Sequence, residues 1–182
     1  MIENATSVEA LYAERGRMRY GEAVTQEEHA LQCAALARAS GADDELVVAA
    51  LLHDIGHLLV PPRGDAAPMG ETPSDHHGGS GAALLRVLLP ERVAWIVEHH
   101  VVAKRYLCAV EPEYMSGLSP ASIRSLAAQG GQLDAAECRR LEAHPWFLDA
   151  VRLRRWDDLA KAPFARVPRF GAYAETLARL AR

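Results

Sequence analysis

The sequence predicts an all-α protein, a helical bundle folded as a single domain across residues 1–182. Two observations favour helices throughout. Helix-start signals recur along the chain, and no segment shows sustained polar–apolar alternation or an Asn-Gly or Asp-Gly hairpin signal. Apolar residues make up 49% of the chain and charged residues 24%, which is typical of one globular core. No long linker or internal repeat divides the chain.

The first predicted helices follow from capping signals and one apolar run. Residues 25–28 (TQEE) form a capping-box pattern that opens a helix carrying His29, and Gly41 is expected to end that helix. The run LVVAALLHDIGHLLV over residues 46–60 is apolar nearly all round, so it predicts a buried central helix capped by Asp43.

A loop rich in Pro, Gly and Asp is predicted over residues 61–75, where it would form a lid or an entrance. Ser74 or Asp75 then caps a helix that runs to about Leu89. After a proline break, a further helix continues through His100.

The second half of the chain carries three more helix-start signals. Ser119-Pro120 opens a helix that ends near Gly130-Gly131, and residues 134–137 cap the next one. A proline separates that helix from one containing the stretch 154–157. Residues 171–181 are predicted as a last amphipathic helix.

Charge and composition indicate which binding partners and which cellular location to expect. The net charge is -4 and the basic residues are dispersed, so no nucleic-acid partner is expected. No run reaches the roughly 18 apolar residues of a membrane span, and the N-terminus lacks signal-peptide features. The three cysteines show no CxxC spacing, so a cytoplasmic location is expected. A monomer and a homodimer both remain open.

Six residues that can bind metal occur along the chain: His29, His53, Asp54, His77, His100 and Asp157. The four histidines are spaced 24, 24 and 23 residues apart, which suits ligands on consecutive helices. Imidazoles and carboxylates together suit iron, manganese or zinc. An unpaired Asp buried in an apolar helix would cost several kcal/mol, which favours a ligand at Asp54. Neighbouring helical side chains point about 100 degrees apart, so Asp54 is expected to bridge two metals. A lone His such as His144 is instead expected to be structural or solvated.

This H…HD…H…H…D series resembles the HD-domain superfamily. The resemblance implies that His29, His53 and Asp157 share one metal with Asp54, and that His77 and His100 hold the second. His77 is preferred to His76 because an HxxxGAxxL pattern starts there, and His100 is preferred to His99 because VVAKRYL follows it.

Longer stretches resemble a narrower family, the HD-domain mixed-valent diiron oxygenases that cleave the carbon–phosphorus bond of 1-hydroxyphosphonates. The stretches are Tyr20–Ala23, Glu28–Ala34, Ala50–His57, His100–Leu107, Gln129–Gly131 and Arg154–Asp157. The resemblance covers about residues 20–160 and implies an Fe(II)/Fe(III) pair with O₂ as co-substrate. The implied partner is a small organophosphonate, 2-amino-1-hydroxyethylphosphonate or an N-methylated analogue, which would be converted to a carboxylate and inorganic phosphate.

The residues around the ligands independently suit an anion. Lys104 follows His100 by four positions and therefore shares its helical face, as His57 does with His53. Three further residues complete the predicted phosphonate site: Arg154, three before Asp157, and Ser122 and Ser125 at the start of their helix. In the resembling family the matching Lys, Arg, His and Ser positions hold the phosphonate. Asp54, His57 and Lys104 are the predicted catalytic residues.

The amine end of the substrate is less defined. In the resembling family the residue matching Glu22 engages the amine, and a Tyr three residues before it ligates iron until substrate displaces it. The position of that Tyr is occupied by Arg19 here, with Tyr20 beside it. Either Tyr20 takes over this role or the tyrosine is absent and Arg19 adds a cation. The substrate could therefore carry a trimethylammonium group or lack an amine.

Two competing functions remain. A metal-dependent phosphohydrolase of the same fold would act on a small phosphate ester or nucleotide without O₂. A degenerate HD module would bind a phosphorylated ligand and catalyse nothing.

Overall fold

The computed structural model describes residues 4–19, 23–59 and 77–182. These residues form eleven α-helices and one 3-10 helix: α1 (Ala5–Arg15), α2 (Gln26–Ala39), α3 (Asp44–Leu52), α4 (Ile55–Leu59), α5 (His77–Leu88), α6 (Glu91–Val110), α7 (Pro112–Ser116), α8 (Pro120–Ala128), α9 (Ala135–Glu142), α10 (Phe147–Leu159), the 3-10 helix Phe170–Tyr173 and α11 (Ala174–Leu180). Across these ranges extended pairing is limited to an isolated bridge between Arg19 and Thr25. The all-α prediction is confirmed.

Four of the predicted helix starts are confirmed, and in each the cap satisfies backbone N–H groups that the first helical turn leaves unpaired. Thr25 and Asp134 each form a complete capping box, with Glu28 and Glu137 respectively. Asp43 accepts a hydrogen bond from the amide of Leu46, and Ser119 accepts one from Ser122.

The predicted continuous central helix is wrong at its middle. Helix α3 ends at Leu52 and α4 begins at Ile55, so His53 and Asp54 form a turn between them. The ring Nδ1 of His53 lies 2.9 Å from the carbonyl oxygen of Ala50, which a continuous helix would pair with the amide of Asp54. This contact accompanies the interruption at the two predicted ligands but does not by itself cause it, since Nδ1 of His100 makes the same contact with the Val97 carbonyl inside the continuous helix Glu91–Val110.

Other boundaries also differ from the prediction. Helix α6 runs ten residues beyond His100, so Lys104 lies on the same helix as that histidine. Helix α7 was not predicted, and the tail predicted as one helix is a 3-10 turn followed by α11. Tyr20, Glu22, His76, the predicted loop 61–75 and its caps Ser74 and Asp75 lie outside the described residues.

Helix α3 forms the centre of the core. All its residues from Leu46 to Leu52 are 0–3% exposed, and α2, α6 and α10 pack around it. Each buried Leu or Val side chain among them contributes roughly 1.5–3 kcal/mol when removed from water. The turn at His53 and Asp54 therefore opens into the inside of the bundle, where α2, α5, α6 and α10 meet it. Within the described ranges, no helix is long and apolar enough to cross a membrane.

Candidate metal centre and anion pocket

The Asp54 carboxylate lies between two pairs of imidazoles. Its Oδ2 is 3.7 Å from Nε2 of His29 and 3.4 Å from Nε2 of His53. Its Oδ1 is 3.3 Å from Nε2 of His77 and 3.6 Å from Nε2 of His100. Each carboxylate oxygen thus faces a different histidine pair, which is the arrangement a bridging ligand requires.

The first pair is completed by Asp157 from α10. The Nε2 atoms of His29 and His53 are 3.1 Å apart, and Oδ1 of Asp157 lies 3.2 Å from Nε2 of His29 and 4.0 Å from that of His53. All three side chains are fully or almost fully buried. Four predicted ligands, counting Asp54, therefore converge on one point.

The second pair joins α5 to α6. The Nε2 atoms of His77 and His100 are also 3.1 Å apart. His57 stacks on the ring of His77 with 4.1 Å between the centroids, and its Nε2 is 3.9 Å from Oδ1 of Asp54. His57 therefore borders this second cluster, on the side of the Asp54 carboxylate.

The chemistry of these donors fits a metal ion between each histidine pair. Nδ1 of His29 lies 2.8 Å from the Ala160 carbonyl, and Nδ1 of His100 lies 2.6 Å from the Val97 carbonyl, as Nδ1 of His53 does to Ala50 at 2.9 Å. A carbonyl oxygen only accepts hydrogen bonds, so each Nδ1 carries a proton. In a neutral imidazole the other nitrogen, Nε2, then presents a lone pair.

Two lone pairs 3.1 Å apart cannot hydrogen-bond to each other, and Oδ2 of Asp54 is buried without a hydrogen-bond partner among the described residues. A cation between the donors resolves both conflicts. The set of imidazole and carboxylate donors suits iron, manganese or zinc, whereas it provides too few oxygens for calcium.

Without a metal, protons would have to supply the missing positive charge. Burial works to lower the pKa of His53, but the Asp54 and Asp157 carboxylates outweigh it and raise that pKa to about 9. Burial likewise works to raise the pKa of Asp54, yet the neighbouring imidazoles, His53 first, hold it well below its ordinary range. Burial and the adjacent His77 and His53 lower the pKa of His100 to about 4, against a smaller opposing effect of Asp54.

A close helix crossing sets the position of His77. A Cβ added to Gly56 would lie 2.0 Å from the carbonyl oxygen of His77, and one added to Gly81 would lie 3.2 Å from the amide nitrogen of Gly56. Glycine at position 56 is therefore needed for this separation of α4 and α5, and glycine at position 81 avoids a tight contact with it. The short crossing brings the first residue of α5 against the turn that carries Asp54.

Arg154, which was predicted to bind substrate, directly contacts a predicted metal ligand. Its Nη1 donates to Oδ2 of Asp157 at 2.5 Å, and its Nη2 pairs with Asp158. Its Nε lies 3.0 Å from the hydroxyl of Tyr114, which in turn contacts Asp158. Opposite charge explains why the pKa of Asp157 lies well below its usual range despite the raising effect of burial. Sequence reasoning missed Tyr114 and Asp158.

Three of the residues predicted to bind an anion lie on α8 or contact it. Lys104, which is 3% exposed, places its Nζ 2.6 Å from Oγ of Ser125. Ser122 is buried one turn earlier, and its amide donates to the Ser119 hydroxyl. Lys104, which lies on the same helix as His100, therefore contacts the helix that carries both predicted serines.

Two further residues near the candidate metal centre were not predicted. The thiol of Cys33, fully buried one turn after His29 on α2, lies within 4.8 Å of the donor atoms of His29 and His53, and burial raises its pKa. Its i+4 spacing from His29 was the available signal. Lys161 places its Nζ 3.5 Å from the hydroxyls of Ser119 and Ser122.

The remaining histidines pack elsewhere. His99 and His144 stack on opposite faces of Trp95, with ring centroids 3.7 and 3.8 Å away. Nδ1 of His99 also lies 2.8 Å from the Trp95 carbonyl. Neither ring joins the two histidine pairs described above.

Comparisons with known proteins give the family of the chain. The HD domain model matches residues 27–141. A hydroxymethylphosphonate dioxygenase from Gimesia maris is 43% identical over 171 residues, covering 94% of this chain and 85% of that protein. The chain belongs to the HD-domain phosphonate oxygenase family. A second member, [1-hydroxy-2-(trimethylamino)ethyl]phosphonate dioxygenase (glycine-betaine-forming) from Leisingera caerulea, is 38% identical over 171 residues, covering 93% of this chain and 86% of that protein.

The HD-domain match contains five of the six predicted ligands, and Asp157 lies beyond its end. The case for Asp157 therefore depends on geometry, since its carboxylate lies 3.2 Å from His29. The family resemblance that the sequence indicated is confirmed by these relatives.

Proposed function

We propose that the protein is a dinuclear iron oxygenase that cleaves the carbon–phosphorus bond of a 1-hydroxyphosphonate, giving a carboxylate and inorganic phosphate. The observation that carries this proposal is the Asp54 carboxylate, with one oxygen facing each histidine pair. The names of two relatives that span most of the chain support the oxygenase reaction over hydrolysis.

The proposed metal ligands are the six predicted ones. His29, His53 and Asp157 would hold one iron, His77 and His100 the other, and Asp54 would bridge them. An Fe(II)/Fe(III) pair bound there would supply the site for the substrate oxygens and the electrons that activate O₂. The reaction balances: one 1-hydroxyphosphonate and one O₂ give one carboxylic acid and one phosphate.

The chain would position the phosphonate through the pocket beside the metals. Lys104 offers a buried ammonium, and the hydroxyls of Ser122 and Ser125 can donate to the other phosphonate oxygens. His57 lies at the edge of the second histidine pair, where its ring can donate a hydrogen bond to bound substrate. Arg154 would act mainly by orienting Asp157 and by adding positive charge near the anion.

The substrate is proposed to be 2-amino-1-hydroxyethylphosphonate or an N-methylated analogue. The two named relatives act on hydroxymethylphosphonate and on the trimethylamino compound. All of these compounds share a hydroxylated carbon bonded to phosphorus, and that shared part is what the metal centre and the pocket would bind. The proposed amine contact is Glu22.

The test is phosphate release by iron-loaded protein with and without O₂. The substrates would be 2-amino-1-hydroxyethylphosphonate, its N-trimethyl analogue and hydroxymethylphosphonate. Phosphate released only with O₂, together with glycine, glycine betaine or formate respectively, would support the oxygenase and identify the substrate. Release from phosphate esters without O₂, and none from phosphonates, would instead mean a phosphohydrolase. No release under any condition, with both metals bound, would favour a binding module.

A further inference from the structure

The segment that follows α10 is fixed to α2 on both sides of Lys161. The Ala160 carbonyl lies 2.8 Å from Nδ1 of His29. The side-chain amide of Gln32 accepts from the amide of Ala162 and donates to its carbonyl, both at 3.0 Å. The backbone of Lys161 is therefore held one residue away from the carbonyl that orients a predicted metal ligand.

The side chain of Lys161 extends from this fixed segment to the start of α8. Its Nζ is 3.5 Å from Oγ of both Ser119 and Ser122. One turn further along α8, the hydroxyl of Ser125 meets Nζ of Lys104 at 2.6 Å. Two ammonium groups, one on α6 and one just beyond the end of α10, therefore contact serines in successive turns of α8.

This combination of charges matches an anion. The N-terminal end of a helix carries partial positive charge, so it repels cations and attracts anions. Lys161 at the first turn and Lys104 at the second turn add to this positive potential, and serine hydroxyls can donate to a bound oxyanion. Lys104 lies on the helix that carries His100, and Lys161 directly follows the helix that carries Asp157. The positive potential therefore lies beside both halves of the candidate metal centre.

We infer that Lys161 is a further phosphonate-binding residue, and that the anion is held between Lys104 and Lys161 along α8. This inference rests on the proposed function, because it assumes that the substrate carries a phosphonate. A phosphonate has three oxygens in a tetrahedral arrangement, so it can contact two lysines on different sides at once. Lysine binds such groups as a point charge and needs no planar match.

The experiment measures binding of inorganic phosphate to iron-loaded protein under argon by calorimetry, so that no turnover is needed. Lys161→Met should weaken phosphate binding roughly tenfold or more, since it removes a charged hydrogen-bond donor. Lys161→Arg should retain most of the affinity. Arg166→Met is the matched control: it removes one exposed cation from the same segment, and we expect less than a twofold change.

Iron content and thermal unfolding of each variant separate anion binding from a structural effect. The inference is supported if Lys161→Met keeps its iron and melting temperature but loses phosphate affinity, with KM for the phosphonate raised more than kcat is lowered. Equal phosphate affinity in Lys161→Met and Arg166→Met would overturn it, and so would wild-type protein that binds no phosphate. If Lys161→Met does not fold, Lys161→Gln replaces it against Lys161→Arg.

Failure of the inference differs from failure of the proposed function. If phosphate binding depends on Lys161 but phosphonates release no phosphate with O₂, the anion site is supported and the oxygenase activity is contradicted. Turnover of phosphonates with phosphate affinity indifferent to Lys161 would do the reverse.

Discussion

Arg154 holds the Asp157 carboxylate by the oxygen that faces away from the histidines. Its Nη1 donates to Oδ2 of Asp157, while Oδ1 of the same carboxylate lies 3.2 Å from Nε2 of His29. The guanidinium is also bound to Asp158, one residue further along α10. Arg154 therefore fixes the orientation of a predicted ligand, in addition to any contact it makes with substrate.

We expect Arg154→Met to lower iron affinity by about 10–100-fold, the usual effect of removing a partner that orients a metal ligand. The measurement is iron per chain after competition with a chelator of known affinity. The neighbouring Arg155→Met is the control, because it removes the same charge from an exposed position paired with Glu111. Equal iron retention by both variants would contradict the orienting role.

Asp54→Asn should reduce iron content to well below one ion per chain, because this one residue is proposed to bridge both metals. The substitution keeps the size of the side chain but removes the negative charge that a bridging ligand supplies. Asp44→Asn, an exposed carboxylate paired with Arg179, should keep two irons. A metal analysis that finds two irons in Asp54→Asn would refute the bridge, and one iron would restrict Asp54 to a single metal.

Lys104→Met should raise KM for the phosphonate about tenfold or more while iron content stays close to that of the wild type. Lys104 lies one turn after His100 on α6, and its buried ammonium contacts Ser125, a residue proposed to bind the phosphonate. Its removal should therefore weaken substrate binding more than metal binding. Steady-state kinetics with O₂ held constant, together with metal analysis, make the comparison. Arg124→Met, on an exposed position of α8, is the control. An unchanged KM would remove Lys104 from the pocket.

The sequence was sufficient for the parts of the structure that depend on local signals. Asp43 and Ser119 cap their helices as predicted, because capping involves only a side chain and amides within the next turn. The predicted ligands also converge, since their order and spacing reflect consecutive helices. The break after Leu52 was missed because hydrophobic periodicity reports which side chains are buried, and both α3 and α4 are largely buried, whereas it does not report where the backbone hydrogen bonds of a helix are interrupted.

Residues outside regular helices were harder to predict. Lys161 lies just beyond the end of α10, where no periodicity relates it to a ligand face, and only the folded chain brings it to Ser122. Arg154 illustrates the opposite case. Its spacing from Asp157 predicted that it lies near the metal centre, but spacing could not distinguish a substrate contact from an ion pair with the ligand itself.

Gly56→Ala should destabilise the protein by about 1–3 kcal/mol and lower metal content at the His77–His100 pair. The added Cβ would lie 2.0 Å from the carbonyl oxygen of His77, so α4 and α5 must move apart. Urea unfolding of the metal-free protein and metal analysis give the two readouts. Gly79→Ala is the control on α5: a Cβ there meets nothing within 4 Å, and the helix should gain up to about 1 kcal/mol. Similar stabilities for the two variants would contradict this close crossing.

The metal-free protein should lose stability as the pH rises from about 7 to 8, whereas the metal-bound protein should not. The pKa of His53 is raised to about 9 in the folded chain without metal, mainly by Asp54 acting against burial, and that of an unfolded His is about 6.5. A raised pKa stabilises the folded state fully below the unfolded value and loses that contribution as the pH rises through the folded value.

The slope should therefore approach about 1.4 kcal/mol per pH unit near pH 8. The Cys33 thiol, whose pKa burial also raises, would add to the loss only above about pH 8.5, the unfolded value for a thiol. Burial lowers the pKa values of His99 and His100, which oppose the loss only near and below the unfolded value of about 6.5, so His53 dominates between about pH 7 and 8. A bound metal replaces the proton on Nε2, so the metal-bound protein should show no such slope. Urea unfolding at three pH values, with and without metal, makes the comparison. His53→Gln should abolish the slope of the metal-free protein, and a slope that persists in this variant would assign the effect to another group.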